Sequence, residues 1–156
     1  MFDLINGLPI HPLVVHVIVV LLPLSVLGTI AIAIVPRWRR RYGHLVVAVM
    51  AFVTVMIPVA TSSGEALARR VGDPGRHARL GDQLIWFALP LLALDVALVL
   101  SARYGDRIGA RRAVAVRAVA IVSVVAALAA GVQVYRVGDA GARAAWGDQV
   151  TSPRGG

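Results

Sequence analysis

Residues 13–35 read LVVHVIVVLLPLSVLGTIAIAIV, and His16, Ser25 and Thr29 are the only polar side chains in them. About 20 apolar residues carry a helix across the hydrocarbon core of a bilayer. This stretch therefore predicts a membrane span. His16 lies one turn inside it, and an ionisable group at that depth faces protein or water rather than lipid. Just upstream stands His11-Pro12, where Pro12 suits an early helical position because its missing N–H would have no partner there. Pro23 predicts a kink within the span, which neighbouring helices tolerate by satisfying the freed carbonyl. The span closes at Pro36, and Arg37-Trp38-Arg39-Arg40-Arg41-Tyr42-Gly43 follows as an interfacial arginine cluster with two aromatic anchors.

Three further apolar runs continue the pattern, at residues 44–60, 84–100 and 113–134. The break Thr61-Ser62-Ser63-Gly64-Glu65 places Ser62 three residues before Glu65, a capping-box spacing that predicts a short helix through Arg70, stopped at Gly72. Asp73-Pro74 then caps and starts the helix that leads into the third run. The result is an all-α protein, a four-helix transmembrane bundle of antiparallel up-down topology. Its membrane domain covers residues 1–136, and a mobile polar tail covers 137–156.

Composition agrees. The chain of 156 residues is 58% hydrophobic, above the 45–50% or so of soluble domains. There is no cysteine, which excludes disulfides, thiolate metal sites, thiol catalysis and covalent c-type haem. The net charge of +8 is carried by arginine without a single lysine. These arginines flank apolar runs, so anionic lipid headgroups are their expected partners and nucleic acid is not. The N-terminus has no basic segment before the first apolar run, so no cleaved signal peptide is expected. Eight arginines (Arg37, Arg39, Arg40, Arg41, Arg103, Arg107, Arg111 and Arg112) crowd the two short turns. The positive-inside rule then puts those turns in the cytoplasm and both termini outside.

That threading gathers His11, His16, Glu65, His77, Asp82, Gln133 and Arg136 at the outer end, and leaves His44 at the inner face. Neutral imidazole is the commonest ligand for transition metals and haem iron. His11, His16, His77 and Glu65 are the candidate metal ligands. His11 and His16 are separated by about 140° around an ideal helix, so they do not share a face. Asp95, about 7.5 Å into the third span, and Arg117, about 6 Å into the fourth, are expected to form a structural ion pair at equal depth. Arg76 and Arg136 could meet haem propionates, as guanidinium meets carboxylates. No phosphate-cradling glycine loop, nucleophile elbow or zinc-protease helix is present, and no catalytic activity of its own is expected.

The run Gly7-Leu8-Pro9-Ile10-His11-Pro12-Leu13-Val14-Val15-His16, the Leu21-Leu22-Pro23-Leu24 inside the span, Ser63-Gly64-Glu65-Ala66 and His77 together resemble a bacterial membrane family, domain-of-unknown-function 2231, with HPxxVH at its head. Val17-Ile18 stands where such proteins often continue with Phe-Pro. The resemblance covers about Gly7 to Arg136. It implies a four-helix bundle in a bacterial plasma membrane, with His11, His16 and His77 as a shared site, and brings no known activity.

Three functional readings stay open. In the first, a b-type haem or redox metal is held by His16 and His77 as axial ligands, with His11 beside them, Arg76 or Arg136 near propionates, and a redox partner protein. In the second, the chain is a non-redox accessory or structural subunit. In the third, the histidines bind copper or zinc. Small residues in the fourth span (Ala126, Ala127, Ala129, Ala130, Gly131) permit close packing within the bundle or in a homo-oligomer.

Overall fold

The computed structural model describes residues 4–5, 8–72, 75–103 and 110–151. A minimal hairpin comes first: β1 (Leu4–Ile5) and β2 (Leu8–Pro9) pair antiparallel, Leu4 with Pro9 and Ile5 with Leu8. The sequence reading contained no such hairpin. Then come α1 (Ile10–Ile34), α2 (Pro36–Val71), α3 (Arg76–Gln83), α4 (Ile85–Arg103) and α5 (Ala110–Thr151). Four stretches are long and apolar enough to cross a membrane: Ile10–Ile34, Pro36–Val71, Arg76–Ala102 and Ala113–Gly147. Helices α1 and α4 each pack against both α2 and α5, so the four long helices form a square with α1 and α4 on its diagonal. The expected all-α bundle is the observed fold.

Burial explains why this bundle belongs in lipid. Val20, Leu27, Val55, Ile121, Val125, Leu128 and Val132 point outward and are exposed, whereas Ser25, Thr29, Thr54, Asp95, Ser123 and Gln133 are buried. A water-soluble domain rarely exposes so continuous an apolar surface. Between the polar groups, Leu22, Met50, Val53, Leu91, Ala127 and Ala130 fill the core without solvent contact. The buried hydroxyls of Ser25, Thr54 and Ser123 donate to the carbonyls of Leu21, Met50 and Val119 one turn back, at 2.8, 2.7 and 2.8 Å. Each is thereby satisfied within its own helix, as a low-dielectric interior requires.

The turn between α1 and α2 is a single residue. Pro36 disfavours helical geometry at the residue before it, and Val35 adopts an extended φ of −110° and ψ of 96°. Pro36 itself opens α2, where its absent N–H is not missed. The orphan carbonyls at the end of α1 are taken up by Arg39, which donates from Nε to Ile32 O and from Nη2 to Ala33 O, both at 2.9 Å. Arg39 is consequently buried. It serves as a helix cap, whereas Arg37, Arg40 and Arg41 remain at the exposed surface.

Three expectations change. The polar stretch 61–65 does not break α2, because Thr61 and Ser62 donate to Pro58 O (3.1 and 2.8 Å) and Ser63 to Ala60 O (3.0 Å), so their hydroxyls close onto the helix and no capping box forms. The helix stops as expected at Gly72, whose φ of +103° suits glycine. Residues 137–151 are not a loose tail but continue α5, with Ala140 buried. An Asp139–Arg143 pair at 2.9 Å, four residues apart, supports that helical segment. Asp73, Pro74, Arg107 and residues 152–156, which carried other expectations, lie outside the described residues.

The third change concerns Asp95, which does not meet Arg117. Thr29 Oγ1 donates to Asp95 Oδ2 at 3.0 Å across the α1–α4 interface, while Arg117 is exposed. Equal depth brought the two residues to one level but did not fix their azimuth. The buried positions of α5 are 123, 127, 130, 133, 134 and 140; carried back toward its start they fall near 116 and 119–120, beside Arg117 rather than on it. Asp95 Oδ1 has no hydrogen-bond partner among the described residues. An unpaired ion in such a place costs several kcal/mol, against about 1–3 kcal/mol for a neutral polar group.

Candidate functional site

At the end of the bundle opposite the arginine turn, the first turn of α1 brings His11 against α2. Its Nδ1 lies 2.9 Å from Ala60 O and 3.3 Å from Ser63 Oγ. A carbonyl only accepts, so Nδ1 carries the hydrogen and, in the neutral ring, Nε2 keeps the lone pair. His77, in the first turn of α3, is held in the same way: its Nδ1 donates to Val137 O of α5 at 3.0 Å. The two rings meet edge to face, with centres 6.4 Å apart and planes at 80°.

Glycine makes room for both rings. A Cβ at Gly64 would lie 2.9 Å from His11 Cε1, and a Cβ at Gly141 would lie 2.9 Å from His77 Cε1. Each imidazole therefore rests against helix backbone. A latch centred on the buried Gln133 ties the helices here: Gln133 Nε2 donates to Leu80 O at 3.0 Å, and Arg136 Nη1 donates to Gln133 Oε1 at 3.3 Å. It ties α5 to α3 and so supports the seat of His77.

The structure brings His11 and His77 together and leaves the remaining candidates outside that contact. His16 is exposed, and its Nδ1 is engaged with Pro12 O one turn back in α1. The ring in contact with His77 is that of His11 and not His16, because the five-residue spacing along α1 turns His11 toward α2 and leaves His16 outward. Glu65, Arg76, Asp82 and Arg136 are exposed at this end, and His44 is exposed at the other. Among the described residues no three His, Asp or Glu side chains gather as a metal-ligand set. The supporting partners Ala60, Val137 and Gly141 were not singled out from sequence. Ala60 and Val137 act through carbonyls that no side chain advertises, and Gly141 falls in the segment read as a tail.

Fold and burial define an integral membrane protein, a four-span helical bundle with a histidine pair at one end. The chain belongs to the family described as predicted membrane protein (DUF2231), whose model matches residues 7–154. No curated protein and no solved structure matches it.

Proposed function

We propose that this protein carries one redox-active metal centre at the histidine end of the bundle, with His11 and His77 as its paired ligands. The observation that supports this is the pair itself: two imidazoles whose Nδ1 atoms are fixed on carbonyls, with ring centres 6.4 Å apart. Metal-bound histidines usually hold the other ring nitrogen in this way, which fixes the tautomer and raises the basicity of the ligating nitrogen.

Haem b iron is the first candidate: His11 and His77 would hold it, and with both imidazoles bound it would supply electron transfer rather than oxygen chemistry. Arg76 and Arg136, exposed at the same end, are the cations available to propionates. A single copper(I) ion is the second, since soft copper also accepts two nitrogen ligands. Zinc is the weaker fit, because a closed zinc site uses four ligands.

The test is an oxidised-minus-reduced absorption spectrum of haem-supplemented protein in mild detergent, with copper analysis of a parallel copper-loaded sample. The expected result is a Soret shift with sharp reduced α and β bands, lost in His11→Ala and in His77→Ala and kept in His16→Ala. A colourless sample that retains stoichiometric copper through the same two histidines would select the second reading. Folded protein that binds neither would leave an accessory membrane subunit and overturn the proposal.

A further inference from the structure

Asp95 is fully buried in the bundle, and the histidine pair does not use it. Its surroundings can be taken helix by helix. From α1 the facing polar group is Thr29, which donates to Oδ2 at 3.0 Å. The charged residues of α2 nearest its start are Arg37, Arg39, Arg40 and Arg41, followed by His44. Arg39 alone of these is buried, with Nε and Nη2 committed to the carbonyls of Ile32 and Ala33. On α5 the buried polar groups are Ser123, its hydroxyl given to Val119 O, and Gln133, its amide given to Leu80 O, and Arg117 is exposed. On α4 itself no other charged side chain occurs between Ile85 and Ala102. Among the described residues no cation is brought to the carboxyl, and Oδ1 has no hydrogen-bond partner.

A carboxylate here would hold a full charge in a low-dielectric interior against one neutral donor. A carboxylic acid keeps the same bond from Thr29 on its carbonyl oxygen and carries no charge. We propose that Asp95 is an intramembrane proton-binding site: the proton resides on Oδ1, and the Thr29 hydroxyl donates to Oδ2. The ligand is the proton itself. Ser25 and Ser123, whose hydroxyls are closed onto their own helices, do not compete for it.

Infrared spectra of the full chain in lipid nanodiscs, recorded across pH for wild type, Asp95→Asn and Thr29→Val, test this directly. At neutral pH, where the exposed carboxyls are ionised, wild type should show a carboxylic-acid C=O band that Asp95→Asn lacks. In Thr29→Val the band should move to higher frequency, because the C=O loses an accepted hydrogen bond. If Asp95→Asn fails to fold, the shift in Thr29→Val still assigns the band. A wild-type spectrum without the band overturns the proposal. Sodium-dependent thermal stabilisation of wild type but not of Asp95→Asn, again without the band, overturns it in favour of a bound cation.

Discussion

Arginine and glycine carry the most specific tasks at the scale of single residues. Arg39 is committed to two carbonyls at the end of α1, whereas Arg37 is exposed two residues away. Arg39→Met should cost about 1–3 kcal/mol by leaving buried acceptors unpaired, and Arg37→Met should stay within about 0.5 kcal/mol. Thermal unfolding in detergent separates the two, and equal melting temperatures would refute the capping role. Gly64 and Gly141 behave differently from Gly138. A methyl group at either of the first two enters an imidazole ring, while a Cβ at Gly138 meets nothing within 4 Å. Overpacking predicts a loss of roughly 1–3 kcal/mol for Gly64→Ala and Gly141→Ala. Gly138→Ala should instead stabilise the helix by about 0.5–1 kcal/mol. The same melting experiment reads both signs.

Helices were legible in the sequence where apolar composition decides them, and illegible where polar side chains close onto backbone. The run 13–35 announces α1 because almost nothing in it is polar. Thr61, Ser62 and Ser63 look like a break, yet their hydroxyls bond to carbonyls of their own helix and α2 continues to Val71. Residues 137–151 look like a tail because they lack hydropathy, but their alanines favour helix and Val137 O is needed by His77. His11 and His77 were candidates by residue type, while their pairing depended on rotation about α1, which spacing does not determine. Asp95 was legible as a buried group, but its partner was not, for the same reason. The continuation of α5 makes a separate prediction. A chain ending at Arg136 keeps the apolar length of its fourth span but removes the acceptor for His77 and the backbone at Gly141. Hydrogen exchange should then accelerate across α3 (Arg76–Gln83) while α1 and the middle of α2 keep their protection. Unchanged exchange in α3 would show that residues 137–151 do not hold it.

For the whole molecule, the distribution of charge sets the direction in which the histidine pair faces. Arg37, Arg39, Arg40 and Arg41 open α2 at one end of the bundle, and α4 ends and α5 begins at that same end, on either side of the second arginine-rich stretch of the sequence. Capping does not remove the charge of Arg39, so it still counts toward retention of that end in the cytoplasm. Arg69, Arg70, Arg76, Arg79, Arg136 and Arg143 oppose it from the histidine end, but over longer segments and with Asp139 and Glu65 among them. The positive-inside rule therefore predicts that His11 and His77 open toward the cell exterior, where a redox partner or a metal would reach them without crossing the bilayer. Because the chain has no cysteine, single-cysteine labelling can test this without a background. Tyr42 and Ala145 are exposed at opposite ends, so Tyr42→Cys and Ala145→Cys report the two sides. A membrane-impermeant maleimide added to intact cells should label Ala145→Cys and spare Tyr42→Cys until lysis. Labelling in the opposite order would turn the molecule over and place the histidine pair, with whatever centre it holds, against the cytoplasm. Labelling of both cysteines in intact cells would mean a mixed orientation, in which the arginine turns do not dominate insertion.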